Sequence, residues 1–176
     1  MKNVNKIISV GLLVLAMGNG SIDGVNTNPK DYTKRSLIGS RFCYTDLTGY
    51  IFTKADLSGA DFTQSVLACV KLNGATLKGA ILNGANLIKA HLEGANLINA
   101  HLSGAYLNNA YCIKANLSGA DLTNADLSGA DFTSANLSGV NLSGAILKGT
   151  KFIFYGGLSK ENRRNAHDHG AEIVGC

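Results

Sequence analysis

The stretch that decides the fold reads Ala115-Asn116-Leu117-Ser118-Gly119, Ala120-Asp121-Leu122-Thr123-Asn124, Ala125-Asp126-Leu127-Ser128-Gly129. The same five-residue register runs from Arg35 to Phe154 without an insertion or deletion. We describe each repeat from its central apolar residue, position i. Of the 24 i positions, 18 are Leu, five are Phe and one is Cys112. A fixed period over most of a chain predicts a repeat architecture in which each unit packs on its neighbours.

The residues on either side of position i are small or form turns. Position i−2 is Ala in 16 of the 24 repeats, and position i+2 is Gly in 13 and Asn in three. A period of five matches neither a helix nor a strand, but it fits a chain that is briefly extended and then turns. Gly or Asn at i+2 supplies the positive φ that the third residue of a type II turn requires. Four such corners close a square, so twenty residues make one coil.

The interior of such a square coil follows from the same pattern. Each layer holds four large i side chains and four Ala-sized ones, because bulk at i−2 would overpack the layer. Coils stacked about 4.8 Å apart bond to one another through the backbone. An Asp or Asn at i−1 can bond nearby backbone amides. We therefore expect outward-facing residues at i−1 and i+1.

The run Ala-(Asp/Asn)-Leu-(Ser/Thr)-Gly resembles the pentapeptide repeat family. The resemblance covers Arg35–Phe154. It implies an all-β solenoid, a right-handed quadrilateral β-helix, with about six coils for 24 repeats. The repeats at Arg35-Ser36-Leu37 and Tyr50-Ile51-Phe52 depart most from the pattern, since their i−2 residues are large. Both lie in the first coil, where a terminal layer can splay or be capped.

The N-terminal segment, residues 1–20, is typical of a signal peptide. Lys2 and Lys6 precede an apolar run from Ile7 to Met17, and small residues follow it. This run is too short to span a bilayer as a stable anchor, so we expect no membrane anchor after cleavage. The predicted location is the periplasm, the exterior or a thylakoid lumen. A membrane-tethering tail is the alternative.

Two further segments flank the repeats, because an open β-helix exposes its edges unless they are capped. We expect residues 21–34 to form an N-terminal cap or linker with partial order. Residues 155–176 predict a capping helix and tail, with Ser159 as N-cap and Gly170 at C′. This helix should cover the Phe132/Phe152 end of the stack. The residues predicted to face the last coil are Leu158, Ala166 and Ile173. With that end covered, a monomer is favoured over end-to-end dimerisation.

Charge and cysteine content exclude several function classes. Nine Lys and Arg oppose seven Asp and Glu within Arg35–Phe154, so the repeats attract nucleic acid weakly and we expect no nucleic-acid partner. Cys112 occupies a core position and should be a buried thiol. Cys43 and Cys69 fall at different corners of successive coils, and Cys176 is the last residue. We therefore expect no disulfide framework.

Side chains that could perform catalysis are dispersed by the repeat. His91 and His101 occupy outward i−1 positions, expected on adjacent faces, and His167 and His169 point apart on the predicted helix. These residues suggest no metal site, and no cofactor is expected. Asp residues at i−1 in three successive repeats point in three directions, where they stabilise turns; they are Asp121, Asp126 and Asp131. The sequence therefore indicates a protein that is not an enzyme.

One surface pattern remains after the structural roles are assigned. Every fourth repeat lies on the same face, and the fourth face is more apolar than solvation requires, with His91 one coil from Tyr111. A flat β surface with an aromatic and aliphatic ridge can dock another protein. Scattered exposed apolar residues are also ordinary, so this alternative stays open. The candidate partner surface is Ile51, His91, Tyr111, Ile113 and Ile153.

The leading hypothesis is a non-enzymatic structural or protein-binding scaffold that is exported from the cytoplasm. The resemblance extends to exported bacterial and cyanobacterial members of the family. The alternative is a DNA-gyrase-interacting resistance protein, because some family members mimic DNA through a strongly negative rod. The near-neutral repeats and the signal peptide both argue against it. An enzyme is the second alternative, and a packed square rod offers it no interior pocket.

Overall fold

The structure is a computed structural model that describes residue 28, residues 30–153 and residues 156–174. The predicted signal peptide, residues 1–20, lies outside the described residues. So do Pro29, Phe154 and Cys176. No helix within the described part of the chain is both long and apolar enough to cross a membrane.

Each repeat forms one short extended segment and one turn. The N–H of residue i+3 donates to the carbonyl oxygen of residue i, as from Ala120 to Leu117 at 2.9 Å. Every i+2 residue from Lys34 to Gly149 has a positive φ. A hydrogen-bonded turn whose third residue alone has a positive φ is a type II turn. The predicted corners are therefore confirmed, including those without Gly or Asn.

Backbone pairing joins residues that are twenty positions apart. Parallel bridges link the i−1 residues, beginning with Asp31 to Ile51 and ending with Asn136 to Gly156. In each bridge, one amide donates to a carbonyl of the following coil and another amide donates to a carbonyl of the preceding coil. Leu92 N–H donates to Tyr111 O at 2.8 Å, and Tyr111 N–H donates to Ala90 O at 2.9 Å. Four repeats therefore make one turn of the solenoid.

The bridges align in four columns, and each column runs along one face of the rod. We call these faces 1 to 4 in the order of successive repeats. Their earliest i−1 members are Ser36 for face 1, Arg41 for face 2, Asp46 for face 3 and Asp31 for face 4. Residues five apart thus lie on adjacent faces, and residues ten apart lie on opposite faces.

The core is filled by the i and i−2 positions, as the sequence predicts. The Leu and Phe side chains at i are buried from Leu37 to Phe152, and Ala residues fill most of the inner i−2 sites. Aromatic rings stack along one part of the core, with Phe42 and Phe62 centroids 4.8 Å apart. Ser65 replaces Ala at one i−2 site, and its buried hydroxyl has no hydrogen-bond partner among the described residues.

The N-terminal end of the ladder lies one repeat before Arg35. Asp31 already bridges to Ile51, and Tyr32 occupies the i position of this additional repeat. The Tyr32 ring stacks on Phe52 with centroids 5.5 Å apart and on Tyr50 at 6.1 Å. Burial raises the pKa of both tyrosines. The large residue at position 50 therefore fits, because it helps to close the end layer.

The C-terminal segment forms helix α1, Lys160–Asp168, and strand β2, Glu172–Val174. Ser159 Oγ accepts from Asn162 N–H at 3.0 Å, and Gly170 has φ +77, so both predicted caps are confirmed. Leu158 and Ala166 are buried against the core, and Ile173 packs on it in part.

Strand β2 was not expected from the sequence. It pairs in parallel with strand β1, Lys151–Ile153, and places Ile173 beside Phe152. Helix α1 instead lies near Val140, whose carbonyl accepts from Asn162 Nδ2 at 3.0 Å. The expectation that the helix covers Phe152 is therefore corrected, because the chain returns after α1 and adds a strand there.

Candidate functional site

The backbone places the five predicted surface residues on face 4. Ile51, His91 and Tyr111 belong to one column of bridges, and His91 and Tyr111 are neighbours in it. Ile113 is the i+1 residue of the same repeat as Tyr111, and its carbonyl accepts from Gly94 N–H at 2.9 Å. Ile153 lies two coils, or forty residues, beyond Ile113. It belongs to β1 and pairs with β2, so it is part of the C-terminal cap as well.

His91 and Tyr111 form an ordered aromatic pair at the centre of this face. Their ring centroids are 5.0 Å apart, and the ring planes differ by 18°. The side chain of His91 is 39% exposed and Tyr111 is 42% exposed, so the pair is open to solvent. The spacing of twenty residues predicts that His91 lies one coil from Tyr111, and the backbone places the two residues on adjacent coils. The stacking of their rings was not predicted.

Glu93 holds His91 in place from the turn of the same repeat. Its Oε1 lies 3.3 Å from His91 Nδ1, and its Oε2 accepts from Asn73 Nδ2 at 2.6 Å. Glu93 thus links two successive rungs and orients the imidazole against Tyr111. The sequence places Glu93 on this face but does not indicate its role, because the two contacts depend on rotamers.

Basic side chains flank the aromatic pair. Lys71 precedes His91 in the same column, and Lys114 follows Ile113 at the next corner. Both side chains are exposed. On the other side of the pair, Asp131 follows Tyr111 in the column, so face 4 offers a half-exposed aromatic centre, one oriented carboxylate and a rim of mixed charge.

The other His and Asp residues do not converge. His101 lies ten residues after His91, which is half a coil, so the two lie on opposite faces and the expectation of adjacent faces is wrong. Asp121 lies on face 2 and bonds its own turn, accepting from Thr123 N–H at 3.0 Å. Asp126 and Asp131 make the same bond on faces 3 and 4. Within the described ranges, no group of three or more His, Cys, Asp or Glu side chains could hold a metal ion.

The cysteines described by the structure are free thiols. Cys112 is fully buried, as predicted, and burial together with negative Glu93 and Asp131 raises the pKa of its thiol far above the ordinary value. Cys69 is exposed and Cys43 is half-buried. A buried neutral thiol is inert, so Cys112 is a core residue rather than a nucleophile.

Two shallow grooves flank helix α1. The first has a volume of about 250 Å³ and lies between Asn165, His169 and the segment Gly144–Lys148. The second, of about 370 Å³, is lined by exposed Glu161, Arg164 and Asp168. His169 Nδ1 lies 2.7 Å from Asn165 O, so this ring nitrogen is already bonded to the helix end. Neither groove brings buried titratable groups together.

Face 3 carries an apolar column that the sequence-based search missed. Val66, Tyr106 and Ile146 are i−1 residues of this face and are 37%, 51% and 53% exposed. On face 4, Tyr111 is the exposed large apolar side chain. Reading every fourth repeat from Asp46 would have found this column.

Comparison with known proteins agrees with the repeat. The model of the family described as pentapeptide repeats matches in eight copies over residues 36–68, 52–84, 71–109, 85–124 and 110–149. The chain therefore belongs to the pentapeptide repeat family, whose members form right-handed quadrilateral β-helices. No curated protein matches the chain.

Several solved structures of pentapeptide repeat proteins resemble this one. HetL from Nostoc sp. strain PCC 7120, described as involved in heterocyst differentiation regulation, is 31% identical, with 68% of this chain and 79% of HetL covered and a TM-score of 0.35. Rfr23 from Cyanothece 51142 is 30% identical, with 73% and 92% covered and a TM-score of 0.28. QnrB1, a plasmid-mediated fluoroquinolone resistance protein, is 18% identical, with 81% and 86% covered and a TM-score of 0.40.

Proposed function

We propose that this protein is a non-enzymatic scaffold, exported from the cytoplasm, that binds another protein through face 4. The scaffold is a right-handed β-helix of about six coils, which follows from 24 repeats at four repeats per coil. The observation that carries the proposal is the stacked His91–Tyr111 pair beside Ile113. Exposed aromatic side chains that are held in one orientation are common anchors of protein interfaces.

The aromatic pair is favourable for binding because it is already ordered. His91 is stacked on one side and held by Glu93 on the other, so little rotamer freedom remains to be lost. Tyr111 presents an apolar ring together with a hydroxyl group that can bond a partner. The neighbouring Ile113 extends the apolar area along the next rung.

The charges around this centre indicate the chemistry of the partner. Lys71 lies on the coil before His91 and Lys114 at the corner after Ile113, and both are exposed, whereas Asp131 lies on the coil after Tyr111. A complementary protein would present an apolar or aromatic centre, with acidic residues opposite the two lysines and a hydrogen-bond donor or a basic residue opposite Asp131. Rim charges act mainly on the association rate, so binding should slow as salt concentration rises.

The DNA-gyrase-interacting alternative requires a strongly negative rod. The repeats carry nine basic and seven acidic residues over Arg35–Phe154, and face 4 itself carries exposed lysines. A supercoiling assay with purified gyrase distinguishes the two. No inhibition and no protection is the result expected here, and inhibition at stoichiometric protein would favour the alternative.

A paired-variant crosslinking experiment tests the proposed function. Cells that express Tyr111→Ala together with Ile113→Ser are crosslinked in the native compartment, and attached proteins are identified by mass spectrometry. The matched control is His101→Ala with Ser103→Ala, the same two repeat positions on the opposite face. We expect the amount of one specific adduct to fall at least about tenfold with the face 4 variant. The control should leave the amount of that adduct unchanged. If every recovered partner remains bound to the face 4 variant, the surface is irrelevant.

Export is tested by the N-terminus of the mature protein. Amino-terminal sequencing of protein from the native compartment should begin after Gly18 or Gly20, where small residues follow the apolar run. Full-length protein confined to the cytoplasm would contradict export without bearing on face 4.

A further inference from the structure

Face 3 alternates strictly between polar and apolar residues along the rod. In order from the N-terminal end, the i−1 members of the column are Asp46, Val66, Asn86, Tyr106, Asp126 and Ile146. Each bridges to the next, so successive members are one rung apart, or about 4.8 Å. The three apolar members are therefore about 9.6 Å apart, each with a polar residue between it and the next.

The apolar members of this column are open to solvent. Val66, Tyr106 and Ile146 are all more than one third exposed, and Ile88 adds a half-buried side chain beside them. Nothing in the turn geometry requires these residues at i−1, because Asp and Asn stabilise the turn and Val, Tyr and Ile cannot. A regular apolar column without a role in the fold indicates a contact surface.

We propose that face 3 binds face 3 of a second copy of this chain, with the two rods antiparallel about a twofold axis at Tyr106. In this register Tyr106 packs on Tyr106, and Val66 packs on Ile146 of the second copy. Asn86 then faces Asp126. The twofold axis produces a second copy of the Val66–Ile146 contact and of the Asn86–Asp126 contact. An isologous contact of this kind needs a self-complementary surface, and the alternation supplies one.

The acidic residues of the i−1 column favour this register over its neighbours. A shift by one rung in either direction puts each apolar residue opposite a polar one, which leaves an Asp against an apolar side chain. A shift by two rungs restores apolar pairs but opposes either Asp46 with Asp126 or Asp126 with itself. Like charges across an interface are strongly unfavourable. The register centred on Tyr106 avoids both faults.

The polar pair in this register has matching hydrogen-bond groups. Asn86 Oδ1 accepts from Ile88 N–H at 3.0 Å, which leaves the amide NH₂ group as the outward donor. Asp126 is a carboxylate: burial raises its pKa, but bonds from Ser128 and Asn108 lower it by more. An amide donor thus faces a carboxylate acceptor twice in each dimer.

The surface is small, so the dimer should be weak. Five facing rungs span about 19 Å from Val66 to Ile146. A contact of that length along one narrow face buries less area than the standard interface of a stable complex. We expect a dissociation constant between about 10 μM and 1 mM, in the range of transient contacts. The sequence-based expectation of a monomer concerned the covered C-terminal end, whereas this contact is on the side of the rod. Face 4 stays open in the dimer, so the inference is independent of the proposed function.

Two substitutions at Asn86 test the register with opposite signs. Asn86→Asp would place carboxylates opposite Asp126 at two positions, and should weaken dimerisation at least about tenfold. Asn86→Lys would create two charge pairs with Asp126 and should strengthen it about threefold or more. The matched control is Asn96→Asp on face 1, which also has Leu and Ile after it and the same turn bond. This control should leave the dissociation constant unchanged.

The measurement is sedimentation equilibrium of the full chain at concentrations up to about 1 mM, the upper limit of the expected range. All variants retain the apolar run Ile7–Met17, so association through that run would be equal in all of them. A monomer at the highest concentration overturns the proposal. So does association that Asn86→Asp and Asn86→Lys change alike, or that neither changes.

Discussion

The polar residues at i−1 have a structural role at the level of single turns. Asp46 Oδ1 accepts from the N–H of Thr48 at 2.9 Å and from its hydroxyl at 2.6 Å, and Asn116 bonds Ser118 in the same way. Bonds of this kind hold the chain at the start of each corner. They also lower the pKa of Asp46, with the Thr48 hydroxyl as the largest cause. Most acidic residues of the repeats are thus accounted for without catalysis.

Ser65 is a residue whose replacement should stabilise the protein. Its buried hydroxyl has no partner among the described residues, and Ala fills most of the inner i−2 sites. Ser65→Ala should raise the free energy of unfolding by about 1 kcal/mol, because a desolvated unpaired hydroxyl is removed. Urea denaturation monitored by circular dichroism gives the value.

Thr150 is the matched control for Ser65. It is also buried at an i−2 site, but its hydroxyl donates to Leu127 O at 2.9 Å. Thr150→Val keeps the shape and removes the donor, so it should destabilise by about 1 kcal/mol. Equal effects of the two variants would show that the hydroxyl of Ser65 has a partner.

Cys112 should make stability depend on alkaline pH. Its pKa is raised in the folded protein by burial, followed by the charges of Glu93 and Asp131. The neutral thiol therefore contributes fully below the unfolded pKa of about 8.5, and the contribution is lost as pH rises above it, by up to about 1.4 kcal/mol per pH unit. Urea denaturation between about pH 8 and pH 10 should show this slope in the wild type and a smaller one in Cys112→Val. Identical slopes would contradict a buried thiol.

At the level of elements, the C-terminal segment closes the ladder in two ways. Helix α1 covers the end near Val140, and β2 pairs with β1 so that Glu172 N–H donates to Thr150 O at 2.8 Å. Burial of Leu158 and Ala166 joins the helix to the core. An end that carries its own strand and helix has no free edge at β1 for another chain to extend.

The N-cap of α1 should be needed for this closure. Ser159→Ala removes the bond to Asn162 N–H and should cost about 1 kcal/mol, whereas Ser159→Asp should keep the cap and its stability. Amide hydrogen exchange of residues 160–168 reports the local effect. Protection that is the same in the Ala and Asp variants would show that the cap does not hold the helix.

At the level of the whole molecule, the parts of the fold that the five-residue period determines could be predicted from the sequence. The register fixed by Leu117, Leu122 and their equivalents indicates the corners, the core and the four faces, and Ser159 with Gly170 marks the helix. The additional repeat Lys30–Lys34 was missed because it lacks the Ala and Leu of the motif. Strand β2 was missed because Glu172–Val174 has no period to follow. The roles of Glu93 and Ser65 depend on side-chain contacts that a repeat pattern does not contain.

The arrangement of faces is the feature of the whole molecule that bears on function. Twenty residues per coil bring His91 and Tyr111 together on face 4 and separate them from His101 by half a coil. Two adjacent faces thus carry different surfaces, an aromatic pair with a rim of mixed charge on face 4 and a column of alternating polar and apolar residues on face 3. We propose that face 4 is the surface that meets a different protein.

Site-specific photo-crosslinking tests this claim most directly. A benzophenone amino acid is placed at Tyr111 or, as the control, at His101 on the opposite face, and the cells are irradiated with the protein in its native compartment. We predict one protein adduct from position 111 that Ile113→Ser diminishes, and none from position 101. No adduct from position 111, or the same adduct from both positions, would contradict the account.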